Sequence, residues 1–350
     1  MISLNLQKYS RLIVRGLIAA YLLMSINACT TLKIPEIKVF RSNKILQDSF
    51  LISAHVSYAF QDLESEKIFL EQNSNKCAIP ASNMKIFTLY SALKVFGDSL
   101  PAGCIFNNRD SLIFIPSGNP GFLYKHLTYE KLWNRLKNSG RPLIFVALPK
   151  HDNQVFGTGW AWDDDGKIFQ TGRHPLAMYG GQLSLKKEEN STVSIPGTFF
   201  DQSFVYQPGG SSTKEIILQK KPFENQIELN RKINKNDSFE KTFSFYPSNE
   251  LLIDLFRDTL NKNIVISHYM PYRHEQVCFN QEANDIYITM MHDSDNFIAE
   301  QIMYMIGYEA SQEFSVASGI EFSLENLIPN VSKDHLQWVD GSGLSRYNLT

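Results

Sequence analysis

The spacing of apolar residues changes its period twice along the chain, and this restricts the fold more than any other feature. Residues 54 to 70 alternate between apolar and polar around a polar centre, which predicts a β-hairpin, and residues 83 to 96 follow the period of a helix. From Ser111 to about Asp237 the apolar runs are short and interrupted by glycine, proline and asparagine. Helical periodicity returns from Asn249. We therefore predict an α+β protein whose helix-containing domain is interrupted by a β-rich insertion.

Length and charge exclude several classes of protein. A chain of 350 residues is long enough for two or three domains. Hydrophobic residues make up 43%, charged residues 20%, and the net charge is −2. These values argue against general disorder and against a strongly basic surface, so no nucleic-acid partner is expected.

The first 28 residues are typical of an export signal. A basic segment at residues 8 to 15 precedes an apolar run from 16 to 24. This run is too short to span a bilayer, which requires about 20 apolar residues. The run leads into Ile-Asn-Ala-Cys, which is similar to a lipobox and predicts lipidation of Cys29. Residues 29 to 49 would then be a tether to the membrane. Simple secretion is the alternative.

Besides Cys29 the chain has three cysteines, an odd number for an exported protein: Cys77, Cys104 and Cys278. Cys77 and Cys104 would pair only if their Cα atoms came within about 7 Å. Buried free thiols are an equally acceptable interpretation.

The strongest candidate for catalysis is the segment Pro-Ala-Ser-Asn-Met-Lys at residues 80 to 85, at the start of the predicted helix. A lysine three residues after a serine lies on the same helix face, so the side chains of Ser82 and Lys85 would touch. Burial favours the neutral amine, which can accept the seryl proton. The helix N-terminus would place N–H groups near a developing oxyanion.

The Ser-x-x-Lys spacing alone is weak evidence because it occurs five times, at Ser82, Ser91, Ser184, Ser211 and Ser238. Only Ser82 has a strand pair before it, a proline at the turn and an amphipathic helix after it. Ser91 falls inside the same predicted helix, and the other three serines lie in strand-like or charged segments.

A second candidate is Ser294-Asp295-Asn296, which opens the helical stretch from Phe297 to Tyr308. Serine, aspartate and asparagine are also the residues preferred at a helix N-cap, so a capping role is the plain alternative. Together with Ser82 and Lys85, however, a second hydroxyl can relay a proton and an amide can hold a peptide substrate.

A third group is rich in potential metal ligands, but its spacing fits no standard zinc pattern: His268, His274, Glu275, Cys278 and His292. We expect neither a metal nor another cofactor.

Several segments, in order, resemble the class C low-molecular-mass penicillin-binding proteins, a family of D-Ala-D-Ala carboxypeptidases and endopeptidases. The resemblance spans roughly Ala54 to Asn348 and is carried by residues 54–88, 157–164, 175–177, 294–301 and 338–346. The last of these contains Asp-Gly-Ser-Gly-Leu-Ser, which is similar to a segment of that family.

The resemblance implies a β-lactamase-like transpeptidase domain, an antiparallel sheet flanked by helices, with an inserted accessory domain. It implies that Ser82 is the acylated nucleophile, Lys85 its base, Ser294 the proton relay and Asn296 a ligand of the peptide stem. The backbone N–H of Ser82 would form half of the oxyanion hole. The implied substrates are peptidoglycan stem peptides in the periplasm, and β-lactams would be covalent inhibitors.

The corresponding domain boundaries are a peptidase part from 50 to 110, an insertion from 111 to 240 and a second peptidase part from 241 to 350. The sequence departs from the family at Ser117-Gly118-Asn119-Pro120 and between His268 and Cys278. The family's Lys-Thr-Gly motif, which would lie beyond the Asp-Gly-Ser-Gly segment, does not occur among the 350 residues. This leaves an alternative in which the chain is truncated and catalytically impaired, or a non-catalytic peptidoglycan-binding lipoprotein.

Overall fold

The computed structural model describes residues 49, 51, 53–188, 191–197, 204–206, 216–272, 276–329 and 336–347. The lipidation predicted at Cys29 and the signal and tether before residue 49 lie outside these residues. The chain divides into two compact units, residues 1–76 and 77–350, which we describe separately.

The described part of the first unit is the predicted β-hairpin, which is confirmed. It consists of β1 (Tyr58–Gln61) and β2 (Ile68–Gln72), paired antiparallel. The Asp62 carboxylate stabilises the turn by accepting hydrogen bonds from the backbone N–H and the hydroxyl of Ser65, both at 2.7 Å.

The largest sheet of the second unit has five strands: β3 (Ser99–Asn108), β4 (Ser111–Ile115), β5 (Leu143–Val146), β12 (Asn263–Ile266) and β13 (Val277–Glu282). Their spatial order is β12-β5-β4-β3-β13, with β4, β5 and β12 parallel and with β3 antiparallel to both of its neighbours. All five residues of β4 are buried, as expected for a strand covered on both faces. Helix α2 (Glu130–Lys137) lies between β4 and β5 in the chain, as the crossover that parallel strands require.

Two smaller sheets are built from the middle of the chain. One orders β11 (Phe239–Ser244), β6 (Gln182–Glu188) and β7 (Ser191–Ile195) as an antiparallel sheet. The other orders β8 (Phe204–Tyr206), β10 (Ile227–Leu229) and β9 (Leu218–Lys220). The predicted β-rich character of this region is confirmed.

The helices confirm the predicted periodicity. They are α1 (Met84–Val95), α3 (Asn249–Leu260), α4 (Asn284–His292), α5 (Asn296–Ser311) and α6 (Val316–Phe322), in addition to α2. Every residue of α5 from Phe297 to Gly307 is buried, which makes it the central helix of its layer. Its apolar side chains form one core with residues of α1, α4 and α6. The sheet, α2 and α3 enclose a second core.

The domain boundaries predicted near residues 110 and 240 stay a prediction, and the five-stranded sheet crosses both of them. It takes β3 from before the first boundary and β12 and β13 from after the second. The α+β class is confirmed, and the largest sheet of the described residues is mixed.

The cysteines pair differently from either interpretation of the sequence. Cys104 on β3 and Cys278 on β13 are opposite each other in the register and form a disulfide, with their Cα atoms 4.0 Å apart. Cys77 is free and exposed. The pairing of Cys77 with Cys104 was therefore wrong, and so was the alternative of buried free thiols. The sequence did not show the true pair because its partners are 174 residues apart in the chain.

Among the described residues no helix is both long enough and apolar enough to cross a membrane.

Candidate active site

The side chains of Ser82 and Lys85 meet, as their spacing predicted. Ser82 lies in the 3-10 turn Ala81–Asn83 that leads directly into α1, and Lys85 is the second residue of α1. The Lys85 Nζ donates a hydrogen bond of 3.1 Å to the Ser82 Oγ. The serine is exposed, whereas the lysine is only 1% exposed. This is the arrangement of a nucleophile open to substrate with a desolvated amine behind it.

Two further acceptors hold the amine. The Lys85 Nζ donates to the Asn296 Oδ1 at 2.6 Å and to the main-chain oxygen of Ser342 at 2.9 Å. An ammonium would donate to all three oxygens. A neutral amine has two N–H bonds, so these two acceptors can occupy both and leave the lone pair directed at the Ser82 hydroxyl.

Burial lowers the pKa of Lys85 from 10.5 to about 8, because removal from water disfavours the charged form. The carboxylates of Glu300, Asp295 and Asp340 act in the opposite direction and keep the pKa from falling further. An amine tuned in this way can accept a proton near neutral pH, which an ordinary lysine cannot do.

The segment Ser294-Asp295-Asn296 forms the N-terminus of α5, and its residues have different environments. Asp295 is the N-cap, since its Oδ1 accepts from the Ile298 N–H at 3.1 Å. Asn296 places its amide oxygen on Lys85 and donates through Nδ2 to the Phe169 carbonyl at 2.9 Å. The capping role that we weighed for the whole segment is thus carried by its middle residue.

Ser294 is exposed and has a positive φ of 54°. Within the described part of the chain its hydroxyl makes no hydrogen bond, so its role as a proton relay stays a prediction. The structure brings Ser82, Lys85 and Asn296 into one contact group, with Ser294 two residues before the asparagine.

The Asp295 side chain is held from a second side. Its Oδ2 accepts from the Tyr124 hydroxyl at 2.7 Å and from the Lys125 Nζ at 3.2 Å. Burial and the neighbouring Asp295 carboxylate raise the pKa of Tyr124 far above its usual value, so the phenol stays a donor. The start of α5, and with it Asn296, is therefore anchored to the loop that follows β4.

Sequence reasoning missed a buried ion pair behind the lysine. Glu300 and Arg173 are 1% and 2% exposed, and the Arg173 Nε and terminal nitrogen both donate to the Glu300 Oε2, at 2.9 and 2.6 Å. The other oxygen, Oε1, accepts from the Ser342 N–H at 2.8 Å. The Arg173 guanidinium also lies 5.1 Å from the centre of the Trp160 ring.

Asp340 is a second buried carboxylate to which no role had been given. Its Oδ1 accepts from the Gly343 N–H at 3.0 Å, and its Oδ2 accepts from the Trp160 Nε1 at 2.9 Å and the Ser345 N–H at 2.7 Å. Burial and the nearby Glu300 raise the pKa of Asp340. Trp160, Glu300 and Asp340 all lie in segments that carried the family resemblance, which was the signal that could have found them.

The segment of residues 338–345 packs tightly against the turn that contains Ser82. Gly343 has φ +76°, and a Cβ added there would overlap the carbonyl oxygen of Ala81. Ala81 itself has a positive φ of 47°, which is unfavourable for alanine. The glycine is therefore required where the chain passes directly beneath Ser82.

The other Ser-x-x-Lys pairs do not form a comparable site. Ser91 is buried inside α1, and its hydroxyl has no hydrogen-bond partner among the described residues. Ser184 lies on strand β6, where residues three apart point to opposite faces. Ser238 is exposed. Ser211 lies outside the described residues.

No group of three potential metal ligands occurs in the part of the chain that the structure describes. Of the residues weighed for a metal, Cys278 is in the disulfide and has no free thiolate, and His292 is exposed beside Asp293. His274 and Glu275 lie outside the described residues.

Comparisons with known proteins show the family of the chain and relatives of its fold. The D-Ala-D-Ala carboxypeptidase 3 (S13) family matches residues 41–350. The crystal structure of penicillin binding protein 4 (dacB) from Haemophilus influenzae is similar to this chain with a TM-score of 0.62 and 17% sequence identity, over 83% of this chain and 72% of that chain.

A second crystal structure of that Haemophilus influenzae protein, complexed with a novel β-lactam, gives a TM-score of 0.56 and 15% identity, over 85% of this chain and 72% of that chain. No match was found among curated proteins. At these identities the two solved structures bear on the fold alone.

Proposed function

Since this chain belongs to the D-Ala-D-Ala carboxypeptidase 3 (S13) family, we propose that Ser82 is the nucleophile of its peptidase reaction and Lys85 the general base. The family makes the chain a serine-type D-Ala-D-Ala carboxypeptidase or endopeptidase. The observation that carries the assignment of residues is the 3.1 Å contact between the Ser82 Oγ and the buried Lys85 Nζ.

In the first half-reaction the neutral Lys85 amine takes the proton of Ser82, and the Oγ attacks the carbonyl of the D-Ala-D-Ala or cross-link amide. The backbone N–H of Ser82, at the start of the helix, stabilises the oxyanion. Ser294 relays to the leaving amine the proton that Lys85 took from Ser82, so the amine departs neutral and Lys85 is again a free base. The products of this step are the free amine and an ester on Ser82.

In the second half-reaction water hydrolyses the ester and releases the shortened stem peptide, with Lys85 again as base. Asn296 binds the peptide backbone while its amide oxygen holds the lysine. The Asn296 amide is suited to both tasks because its orientation is set by the Phe169 carbonyl on one side and the Lys85 amine on the other.

A non-catalytic or impaired peptidoglycan-binding lipoprotein was the alternative. The family match and the contact between Ser82 and Lys85 both favour a peptidase, because a binding protein has no need of a desolvated lysine beside an exposed serine. Peptidoglycan stem peptides are the proposed substrates, and β-lactams, which mimic the scissile amide, the proposed covalent inhibitors.

The proposed location is the cell envelope, facing the periplasm, where peptidoglycan is found. The lipobox-like text before Cys29 supports attachment to a membrane through acylation of that residue. Mass spectrometry of the N-terminal peptide of the mature protein tests the anchor, and an unmodified or absent Cys29 would contradict it.

Labelling with a fluorescent penicillin tests the assignment of the nucleophile. We expect one adduct on the peptide that contains Ser82, and none in Ser82→Ala. Ser238→Ala is the matched control, since Ser238 belongs to another Ser-x-x-Lys pair but is exposed on a distant segment, and it should label like the wild type.

Release of D-Ala from a stem pentapeptide, measured on the same proteins, tests the reaction itself. A well-folded protein that is never acylated, or an adduct that survives in Ser82→Ala, would refute the assignment.

A further inference from the structure

Lys85 and Asp340 are bonded to opposite ends of one peptide group. The carbonyl of Ser342 accepts from the Lys85 Nζ at 2.9 Å, and the N–H of the same peptide, which belongs to Gly343, donates to the Asp340 Oδ1 at 3.0 Å. A carboxylate on the N–H end of a peptide polarises it and makes its carbonyl a stronger acceptor, by about 10–30% per hydrogen bond in a chain of such bonds.

The preceding peptide is held in the same manner. The Ser342 N–H donates to the Glu300 Oε1 at 2.8 Å, and the Arg173 guanidinium fixes the other Glu300 oxygen. Two buried carboxylates from different parts of the chain thus bind the two peptide groups on either side of the Ser342 Cα, and the second of these peptides carries the carbonyl that holds Lys85.

The remaining contacts keep these carboxylates in place. Asp340 has one oxygen on Gly343, and its other oxygen is taken by the Trp160 indole and by the Ser345 N–H. Asp340 and Glu300 are each only 1% exposed. Carboxylates so completely removed from water are costly to bury, which argues that they have a task beyond filling space.

We propose that Asp340 and Glu300 are positioning residues that clamp the Ser342 peptide groups, so that the Ser342 carbonyl binds one N–H of Lys85 and directs its lone pair at Ser82. This inference rests on the proposed function only in taking Lys85 as the base. The clamp thus adds to the catalytic group two positioning residues that lie more than 200 positions after Lys85 in the chain.

A purely structural role and a positioning role differ in what they do to the lysine. The charged groups that face Lys85 are Glu300 from α5, Asp295 from its N-cap and Asp340 from the segment 338–345. Each of these carboxylates raises the pKa of Lys85. Removing one charge should lower that pKa, while loss of the aligned carbonyl should reduce the rate of the deprotonated enzyme.

The first experiment leaves both clamp carboxylates in place and follows the wild-type protein, with Lys85→Arg as its reference. NMR of selectively ¹⁵N-glycine-labelled protein follows the Gly343 amide from pH 6 to 10, and lysine ¹³Cε signals report Lys85, identified by its absence in Lys85→Arg. The clamp predicts that the Gly343 amide shifts with the same midpoint as Lys85 and stays flat in Lys85→Arg. A Gly343 amide whose chemical shift does not change while Lys85 titrates would overturn the proposal.

The second experiment compares Asp340→Asn and Glu300→Gln with the control Asp237→Asn. Asp237 also accepts from two nitrogens of an arginine, Arg231, but it makes no contact with Lys85 or the Ser342 peptides. The rate of acylation by penicillin is measured against pH. In the first two variants we expect the acid limb of the pH–rate profile to move to lower pH and the plateau to fall about tenfold or more. Asp237→Asn should keep the wild-type profile.

If Asp340→Asn and Glu300→Gln fold and keep the acid limb and the plateau of the wild-type pH–rate profile, the proposal is overturned. Should either variant fail to fold, the wild-type titration decides. Absence of any acylation in the wild type would refute the proposed function instead, and the NMR titration would still show whether the clamp exists.

Discussion

Acylation of Ser82 by a penicillin should become faster as pH rises from 7 to 9, with a midpoint near pH 8. The reason is that Lys85 can take the seryl proton only as a neutral amine, and burial lowers its pKa from 10.5 to about 8. The active fraction therefore increases with pH and is lost as the amine is protonated below its pKa.

The size of the effect follows from the pKa. A lysine with a pKa of about 8 is neutral in about one tenth of the molecules at pH 7 and in about nine tenths at pH 9, so the rate should rise about tenfold and then level off. An unperturbed lysine, with a pKa of about 10.4, would remain mostly charged at pH 9, and the rate would go on rising about tenfold per pH unit.

Quenched-flow acylation with a fluorescent penicillin measures this dependence, with a blank to subtract the hydrolysis of the penicillin itself. Lys94→Met is the control, because Lys94 lies on the same helix but is exposed, with its amine over the Tyr90 ring. Its loss should leave the rise of the acylation rate between pH 7 and 9 unchanged. A rate that does not change between pH 7 and 9, or that still rises about tenfold between pH 8 and 9, would refute the reasoning about Lys85.

Three further outcomes are expected. Gly343→Ala should reduce acylation by about a hundredfold or more, because the new methyl group overlaps the Ala81 carbonyl and displaces the nucleophile turn; near-normal acylation would contradict this. The Cys104–Cys278 disulfide links residues that are 174 positions apart, and its reduction should lower the free energy of unfolding by about 2–5 kcal/mol. The measurement is the Tm with and without reductant, and an unchanged Tm would show that the disulfide does not stabilise the fold. Tyr124→Phe removes a hydrogen bond to the N-cap carboxylate of α5 and should cost about 1–3 kcal/mol in thermal unfolding, whereas a neutral effect would mean that this anchor is dispensable.

The local features of the site were predictable because they depend on neighbours in the chain. The contact between Ser82 and Lys85 follows from three-residue spacing at the start of a helix, and helix α1 follows from its apolar period. The hairpin of β1 and β2 and the capping residues before α5 are of the same kind. Each involves residues within about one or two turns of each other, so propensity and pattern are sufficient.

The contacts that complete the site connect distant parts of the chain. Lys85 meets Asn296 across 211 residues and the Ser342 carbonyl across 257, and Arg173 meets Glu300 across 127. The family resemblance supplied Asn296, but nothing in the residues next to Arg173 shows that its charge lies in a buried ion pair and not on the surface. The same is true of the disulfide, whose partners face each other only because β3 and β13 are neighbours in the sheet.

The amino-acid sequence by itself thus predicted the contact between Ser82 and Lys85, the helical and β-rich regions and the family. The tertiary structure alone decided which cysteines pair, how the strands of the sheet are ordered and which carboxylates lie behind Lys85. The physical reason is that local structure follows from short-range sterics and periodicity, whereas burial, and with it the lowered pKa of Lys85, depends on which distant segments pack over the amine.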